Sequence, residues 1–460
     1  MRWRGKASWP TPRRSASDVL ADDTIAAIST APGEGAVAVL RISGGEAIAI
    51  GRRLFVSKNS LADLTPRVLH FGTFRDETGK LDEGLLAVFP GPRSYTGENM
   101  AELHCHGGVL VAAQLLEAIL RKGARAAEPG EFTQRAFLNG KMDLTQAEAV
   151  MDVIRASTTR ALHAAQEQLE GRIGREIAEI RTALLGVVAH LEAFIDFPEE
   201  GIDPHTGRQL LDDMRGIRHR IESLLATAHE GRILREGVRL VLCGEPNAGK
   251  SSLLNRLLGF ERAIVSEIPG TTRDTIEEFA SLRGIPFRIT DTAGLRETSD
   301  AVEQEGVTRA RRAIEQADVI VHVLDVTLSS PPSISEGEIV ALNKIDLPQK
   351  SFPSPYSGIR ISALTGEGLD DLVEAIVTKA RDSHSSEAPM LAAINARHQA
   401  CLKRAADFLG QAGEAMQNHA APELVSLPLR EALDAVGEVV GTTGIEDILG
   451  QIFRTFCIGK

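Results

Sequence analysis

Gly244-Glu245-Pro246-Asn247-Ala248-Gly249-Lys250-Ser251 is the stretch that decides the fold of this chain. It has the spacing of a P-loop, in which glycines let the backbone wrap around phosphate and a helix begins at the anion. The apolar run Val238 to Cys243 comes directly before it and predicts a buried strand. This stretch alone indicates a nucleoside triphosphate but does not identify the base.

Three further motifs follow in order: Asp291-Thr292-Ala293-Gly294, Asn343-Lys344-Ile345-Asp346 and Ser362-Ala363-Leu364. An aspartate at the end of a strand can hold Mg²⁺ through water, and the glycine at 294 leaves room for a backbone N–H at the γ-phosphate. The Asp346 carboxylate can accept two hydrogen bonds from the guanine edge, a donor pair that adenine lacks. The ordered set therefore predicts a site for GTP and Mg²⁺ and hydrolysis of the nucleotide.

Individual roles follow from the chemistry of phosphate and magnesium. Lys250 is expected to reach the β- and γ-phosphates, and Ser251 to bind Mg²⁺. Thr272, between the P-loop and Asp291, is expected to close over the ion when the γ-phosphate is present. The predicted GTP-binding residues are Asn247, Ala248, Gly249, Lys250, Ser251, Ser252, Ser266, Thr271, Thr272, Asp291, Thr292, Ala293, Gly294, Asn343, Lys344, Asp346, Ser362, Ala363 and Leu364.

The catalytic step has to use a group other than the usual glutamine. Ras-type enzymes orient the attacking water with a glutamine at the position that Leu295 occupies here. An amide carbonyl at Asn247 can hold a monovalent cation against the phosphates and so supply the charge of an arginine finger. Glu303 can orient the water, and a solvated glutamate at a helix start is the alternative interpretation of that residue.

Composition sets the limits for the rest of the chain. The 460 residues allow two or three domains, and 43% hydrophobic with 25% charged residues is typical of globular proteins. No apolar run reaches membrane-spanning length, so we expect no membrane segment. The four cysteines form no CxxC pair, and the net charge of −12 argues against a large non-specific nucleic-acid surface.

The predicted fold class is a multidomain α/β protein, with an N-terminal α+β domain, a discontinuous helical domain and an inserted Ras-like, doubly wound α/β domain. Helical spacing and the lack of proline predict long helices from Lys141 to Phe197, and another helix from Leu210 to His229. The expected division is a disordered extension at 1–21, an N-terminal domain at 22–140, helices at 141–236, the P-loop domain at 237–381 and helices at 382–460. An organellar transit peptide is the alternative for the basic first residues.

The motifs together resemble the MnmE family of tRNA modification GTPases, also called TrmE. The resemblance rests on the P-loop, on Gly270-Thr271-Thr272-Arg273-Asp274, on Asp291 to Arg296 and on the terminal Phe456-Cys457-Ile458-Gly459-Lys460. N-terminal stretches extend it from about Asp22 to Lys460: Asp23-Thr24-Ile25, Leu40 to Gly44, Tyr95 to Glu98, His106-Gly107-Gly108 and Pro129 to Lys141.

The resemblance implies a potassium-stimulated GTPase that dimerises through its P-loop domains. The potassium ligands would be Asn247, Ser266, Ile268 and Thr271, although family members commonly carry threonine where Ser266 stands. Ser251 and Thr272 would be the Mg²⁺ ligands. Glu303 would be the catalytic residue.

The resemblance also makes the N-terminal domain folate-binding-like, with a 5-formyltetrahydrofolate-type ligand. Its site residues would be Arg41, Glu102, Lys141 and Lys460. Carboxylates of folate suit Arg and Lys, and the pterin N–H edge suits a carboxylate such as Glu102. Cys457 would be either a reactive thiol in that pocket or a packing residue.

By the same resemblance, the product is a 5-carboxymethylaminomethyl-type group on uridine 34 of certain tRNAs. It would be formed with an FAD-dependent partner, MnmG (GidA), in a hetero-oligomer. A bacterial cytoplasmic location is expected, with a mitochondrion as the alternative. Two other functions stay open: a GTP-controlled RNA or ribosome assembly factor without modification activity, and a folate-dependent one-carbon transferase with a regulatory GTPase insert.

Overall fold

The computed structural model describes residues 23–57, 64–196, 206–260, 277–291, 311–327, 334, 337–347, 357–382, 394–443 and 446–460. Its chain divides into two compact units, Met1–Glu148 with Val440–Lys460, and Ala149–Val439. The predicted disordered extension at 1–21 lies outside the described residues. None of the helices within the described ranges is long and apolar enough to cross a membrane.

The first unit is built on one sheet. Its strands are β1 (Ile25–Ile28), β2 (Gly35–Ser43), β3 (Phe55–Val56), β4 (His70–Asp76), β5 (Gly79–Phe89), β6 (Met100–Gly107) and β7 (Arg125–Ala126). The order in this seven-stranded sheet is β3-β4-β5-β6-β2-β1-β7. Its helices are α1 (Ala47–Arg53), α2 (Val109–Arg121), α3 (Glu131–Leu138) and, from the C-terminal stretch, α13 (Glu446–Phe453).

Strand alternation explains how this sheet is covered on both faces. Ala26 packs into a core with Leu40 and Leu115, whereas its neighbours Ile25 and Ala27 pack with Phe132 of α3 on the opposite face. Successive side chains of a strand point to opposite sides, so one short strand supplies both cores. The first unit is therefore a layered α+β structure, as the sequence predicts.

The second unit contains a second sheet. Its strands are β8 (Val238–Cys243), β9 (Glu277–Leu282), β10 (Ile285–Asp291), β11 (Val319–Asp325), β12 (Ile339–Asn343) and β13 (Ile359–Arg360). The order in this six-stranded sheet is β13-β12-β11-β8-β10-β9. Every described pairing is parallel except that of β9 with β10. Helices α9 (Lys250–Leu258) and α10 (Leu369–Asp382) cover one face and share a core with Leu240, Leu242 and Val321.

The parallel strands all end at one edge. Asp291 ends β10, Asp325 ends β11, Asn343 ends β12, and β8 ends directly before Gly244. The register aligns Asp325 with Asn343. Ligands of open α/β sheets bind at this carboxyl edge, where strand order reverses around the first strand.

The structure also describes helices α4 (Leu144–Arg155), α5 (Thr159–Leu169), α6 (Arg172–Asp196), α7 (Thr206–Leu225), α8 (Ala228–Glu236), α11 (Ala396–Gln417) and α12 (Pro422–Val440). Helices from both flanks of the second sheet pack together, because α7 contacts both α6 and α11. Arg430 of α12 also forms a 2.7 Å ion pair with Glu192 of α6. The helical part is therefore discontinuous in sequence, and the predicted fold class is confirmed.

Some element predictions were wrong in detail. The helices predicted from Lys141 are confirmed up to Asp196 and are three in number, since the chain breaks at 156–158 and 170–171. The helix predicted from Leu210 to His229 ends at Leu225, where Thr227 Oγ1 donates to Leu224 O at 2.7 Å before α8 begins. Strands β9 and β13 were missed. The sequence pattern of the P-loop domain also predicts a helix from Val302 to Gln316, and most of that range lies outside the described residues.

Candidate nucleotide-binding site

The P-loop backbone takes conformations that favour glycine. Gly244 has φ 139°, Asn247 φ 63° and Gly249 φ 99°. A Cβ on Gly244 would lie 2.2 Å from Val323 O, and one on Gly249 would lie 2.2 Å from Asn343 Nδ2. Glycine is therefore required at both positions for two reasons: a side chain would collide with a neighbouring atom, and the positive φ angle disfavours any other residue.

Lys250 is the first residue of α9 and is 5% exposed. Its Nζ donates to Gly244 O at 3.0 Å and to Glu245 O at 2.8 Å. The ammonium group therefore lies inside the loop, at the N-terminus of a helix whose first N–H groups attract anions. A loop of this shape, with a positive charge at its centre, suits a phosphate chain.

Ser251 and Asp291 form the oxygen-rich side of the site. Ser251 Oγ donates to Asp291 Oδ2 at 2.8 Å, and Asp291 is 6% exposed at the end of β10. A hydroxyl and a carboxylate next to a phosphate loop are the ligands that Mg²⁺ prefers. The two residues that the sequence assigned to Mg²⁺ from separate motifs are therefore brought together.

Asn343 links the loop to the segment at Ala363. Its Nδ2 donates to Ala248 O at 2.8 Å, and its Oδ1 accepts from Ala363 N at 2.9 Å. The side chain is buried, at 2% exposure. One amide therefore uses a donor and an acceptor to fix three motifs relative to each other.

Asp346 and Ser362 are also adjacent. Ser362 Oγ donates to Asp346 Oδ1 at 2.6 Å and accepts from Thr365 N at 3.0 Å. Ala363 is buried and Leu364 is 74% exposed, while Arg256 donates to the carbonyl oxygens of both. The serine thus orients the carboxylate that the sequence assigned to guanine.

Asp325 is a site residue that sequence reasoning missed. Lys344 has φ 72°, and its Nζ donates to Asp325 Oδ2 at 2.5 Å. Burial opposes ionisation of Asp325, but this lysine and Thr327 outweigh it and hold the pKa of the carboxyl below its usual value. The available signal was position, because Asp325 ends its strand at the same edge as Asp291 and Asn343.

The structure describes only part of the predicted site. Asn247 is exposed at the tip of the loop, and Ser252 is exposed in the first turn of α9. The remaining predicted residues lie outside the described ranges: Ser266, Ile268, Thr271, Thr272, Thr292, Ala293, Gly294 and Glu303.

In the first unit, Arg41 and Glu102 are cross-strand partners on β2 and β6. Arg41 Nε donates to Glu102 Oε1 at 3.1 Å, and its guanidinium lies 5.3 Å from the centre of the Tyr95 ring. His104 lies 3.7 Å from Glu102. This imidazole lowers the pKa of Glu102, burial opposes it, and Arg41 adds to the lowering. Arg41 and Glu102 thus form an ion pair on that sheet, next to the aromatic ring of Tyr95.

The other predicted residues of this unit lie on its loops and tail. Lys141 Nζ donates to Pro92 O at 3.1 Å, within the loop that also carries Tyr95. The C-terminal tail is held against the same unit, because Ser29 Oγ donates to Gly459 O at 3.2 Å and Gly130 N to Cys457 O at 3.3 Å. Cys457 is exposed.

Comparisons with known proteins agree over nearly the full length of the chain. A model of the GTP-binding protein TrmE N-terminus matches residues 24–141, and a model of the MnmE helical domain matches residues 144–457. The tRNA modification GTPase MnmE of Akkermansia muciniphila is 48% identical over 446 residues, covering 95% of this chain and 99% of that protein. The MnmE protein of Moorella thermoacetica is 44% identical, covering 95% of this chain and all of its own length, 100%.

Among solved structures, the G domain of the FeoB iron transporter of T. maritima is similar at 26% identity and a TM-score of 0.23. It covers 31% of this chain and 99% of that domain. The assignment rests instead on the family models and on the identity over nearly the full length. The chain belongs to the MnmE family of tRNA modification GTPases.

Proposed function

We propose that this protein is a GTP hydrolase that acts in tRNA modification. The observation that carries the proposal is the junction at Asn343, which joins the phosphate loop at Ala248 to the base-recognition segment at Ala363. A P-loop alone would serve many nucleotides. Here the loop is connected through Asn343 to the segment that carries Ser362, and Ser362 orients the Asp346 carboxylate. A carboxylate in that position suits the guanine edge.

We assign the phosphates to Lys250 and to the backbone N–H groups of residues 247–252. The guanine edge is assigned to Asp346, and the stem of Lys344 lies along the base. The Lys344–Asp325 ion pair supports this assignment, because it holds the lysine at the carboxyl edge beside Asn343. Asp325 thus acts as a positioning residue.

Mg²⁺ fits the oxygen pair of Ser251 and Asp291, whose side chains lie 2.8 Å apart. When bound, the ion would neutralise charge on the β- and γ-phosphates. Ser251 would hold it directly, Asp291 would hold one of its waters, and Thr272 is proposed as a further ligand. Asp291 and Ser251 also fix each other's rotamers, which keeps the ligand positions ready.

For hydrolysis, we propose that Glu303 orients the attacking water, and that a potassium ion is held by Asn247, Ser266, Ile268 and Thr271. Exposure of the Asn247 side chain at the tip of the loop supports this, because it leaves the amide oxygen accessible to a cation beside the phosphates. We further propose that dimerisation of the P-loop domains completes this site.

The first unit is proposed to bind a 5-formyltetrahydrofolate-type folate. Arg41, Lys141 and Lys460 would bind its carboxylates, and Glu102 its pterin edge. The lowered pKa of Glu102, to which His104 contributes most, supports the assignment because an ionised carboxylate is the better hydrogen-bond acceptor.

The wobble uridine at position 34 is the proposed tRNA target, and a 5-carboxymethylaminomethyl-type group the product. Flavin chemistry would come from an FAD-dependent MnmG partner. The domain boundaries 22–140, 141–236, 237–381 and 382–460 are proposed with this function, so that GTP hydrolysis in one domain drives movement of its neighbours.

The test has two parts. GTP turnover by the purified chain is measured in KCl and in NaCl at equal ionic strength, and we expect strong stimulation by potassium. Nucleosides of tRNA are then analysed by mass spectrometry in cells whose own MnmE gene is replaced by this one. Restored modification with the wild type, and none with Lys250→Ala, supports the function. Unmodified tRNA with normal GTP turnover would favour an assembly factor.

A further inference from the structure

A second cluster of reactive side chains lies beside the P-loop, on the sheet face opposite α9. The register pairs Cys243 of β8 with His322 of β11, and His322 with Val340 of β12. Glu338 comes two residues before Val340 and so points to the same face as that residue. Cys243 and His322 therefore converge from adjacent strands, and Glu338 joins them from the residue directly before the next strand.

Their ligand atoms are close together. His322 Nδ1 lies 2.9 Å from Glu338 Oε2 and 3.5 Å from Cys243 Sγ, and all three atoms are within 4.8 Å of one another. Within the described ranges, this is the one group of at least three His, Cys, Asp or Glu side chains that meets this spacing. The His322 and Glu338 side chains are 14% and 13% exposed.

The spacing suits tetrahedral coordination. Zinc bonds of about 2.0 Å to nitrogen and about 2.3 Å to sulfur place neighbouring ligand atoms roughly 3.3 to 3.7 Å apart. Cys243 Sγ and His322 Nδ1 already have this separation, His322 Nδ1 and Glu338 Oε2 are closer than it at 2.9 Å, and Cys243 Sγ lies no more than 4.8 Å from Glu338. Each of the three ligands lies in or next to a paired strand, so little chain entropy is lost on binding.

We propose that Cys243, His322 and Glu338 form a binding site for a divalent transition metal ion of the zinc class. A thiolate with an imidazole and one carboxylate favours Zn²⁺ or Co²⁺ over Mg²⁺ and K⁺, which prefer oxygen ligands alone. Three protein ligands leave the fourth position open to water, as in zinc sites that are not purely structural.

Binding is coupled to a proton. A cysteine is ordinarily a thiol at neutral pH, because its unperturbed pKa is about 8.5. When the metal–sulfur bond forms, the S–H bond breaks and the proton leaves to solvent. One proton is therefore released for each ion bound through this sulfur.

Because the cluster lies at the start of the P-loop, a bound ion would affect the conformation of that loop. Cys243 is bonded to Gly244, whose backbone packs against Val323 O directly after His322. An ion held here would fix the start of the loop to β11. The site is distinct from the Ser251–Asp291 pair, which uses oxygen atoms alone.

Cobalt is the probe for the test, because thiolate ligation produces an ultraviolet sulfur-to-cobalt absorption. The full chain carrying Cys457→Ser is titrated with Co²⁺ in excess KCl and MgCl₂, so that the exposed thiol does not contribute. We expect one equivalent of Co²⁺, visible bands of tetrahedral cobalt, release of one proton and full displacement by Zn²⁺. Adding Cys243→Ser should abolish the ultraviolet band, and adding Cys401→Ser should leave it.

Glu338→Gln and His322→Gln provide a second measurement in case Cys243→Ser fails to fold. Each should weaken Co²⁺ binding at least as much as the roughly 10- to 100-fold that loss of an outer-shell partner costs. Glu278→Gln, at an exposed position of β9, is the matched control and should bind as before. No absorption at stoichiometric Co²⁺, a band that survives Cys243→Ser, or unchanged affinity in Glu338→Gln would overturn the proposal.

Discussion

At the scale of single residues, Asn343 shows how a few polar atoms organise the nucleotide site. Its amide is buried and both ends are used, by Ala248 O and by Ala363 N. A buried group that loses its partner costs about 1 to 3 kcal/mol. The structural role of this one side chain is therefore to hold the loop at Ala248 and the segment at Ala363 in fixed positions.

We predict that Asn343→Ala leaves both partners unpaired and lowers the stability of the P-loop domain by about 2 to 4 kcal/mol. Hydrogen exchange at the Ala363 amide is the direct measurement, and it should become much faster. Asn418→Ala, at the exposed end of α11, is the control and should change neither exchange nor stability. Slow exchange at Ala363 in the Asn343 variant would contradict this account.

Asp346 is predicted to set the choice of base. Asp346→Asn should lower GTP affinity by about 10- to 100-fold, because a charge-assisted contact contributes about 1.5 to 3 kcal/mol. Affinity for xanthosine triphosphate should rise, since its 2-oxo group can accept from the new amide. Competition binding with both nucleotides measures this, with Asp370→Asn, at an exposed position of α10, as the control. An unchanged preference for guanine would remove Asp346 from base recognition.

At the scale of elements, α3 is fixed by ion pairs. Arg135 is 2% exposed and pairs with Glu131 at 3.0 Å and with Asp23 at 2.7 Å, while Arg125 pairs with Glu131 from β7. Burial opposes ionisation of Glu131, but Arg125 outweighs it and holds the pKa of the carboxyl below its ordinary value of 4.5. This network ties α3 to the start of β1.

The lowered pKa predicts an acid-sensitive first unit. A depressed carboxyl pKa contributes stability that is complete above 4.5 and is lost as pH falls through the folded-state value. Glu131→Gln should destabilise the unit by about 3 to 5 kcal/mol at neutral pH, because it breaks a buried pair. The difference from wild type should shrink in acid.

Denaturant unfolding followed across this pH range is the measurement. Glu117→Gln, on the exposed face of α2, should show little effect at any pH because its ion pair with Arg121 is exposed and 3.7 Å long. A difference for Glu131→Gln that does not depend on pH would mean that packing, and not charge, is what Glu131 supplies.

Elements with a strong local pattern could be predicted from the sequence, and the others could not. Val238–Cys243 is apolar apart from Arg239, and its assignment as a strand was confirmed. Strand β9 begins with two glutamates and has a buried half of only three residues, Ala280 to Leu282. Its place in the sheet comes from pairing with β10, which local periodicity does not encode.

The same dependence on strand pairing explains why only some residues of the candidate site could be predicted. Motifs identified Lys250, Ser251 and Asn343, because each type of residue stands at a diagnostic spacing. Asp325 belongs to none of the motifs, and only the register of β11 with β12 brings it to Lys344. The residues assigned to potassium and to catalysis stay predictions, since all except Asn247 lie outside the described ranges.

At the scale of the whole molecule, the C-terminal tail packs within the first unit, against residues that follow β1 and precede α3. Ile458 pairs with Pro129 in an antiparallel bridge, and Gly459 approaches Ser29 after β1. A Cβ on Gly459 would lie 2.5 Å from Ile28 O. The tail is thus part of the first unit's structure, which sequence patterns alone did not indicate.

We predict that ending the chain after Phe456 weakens folate binding by roughly 10- to 100-fold, as expected for loss of one charge-assisted contact of about 1.5 to 3 kcal/mol from Lys460. Calorimetric titration with 5-formyltetrahydrofolate measures the loss, and GTP affinity serves as the internal control. Lys460→Ala in the full chain should reproduce it. If truncation alone weakens binding, the tail acts through packing and Lys460 is not a ligand.

The contact between Gly249 and Asn343 has an evolutionary consequence. A methyl group at position 249 would collide with the amide that holds Asn343 to the loop, so this amide can tolerate only glycine there. Removing the Asn343 side chain would not open position 249 to other residues, because φ 99° at that position disfavours any side chain. A change at 343 therefore cannot compensate for one at 249, although the two residues are in contact across 93 intervening positions.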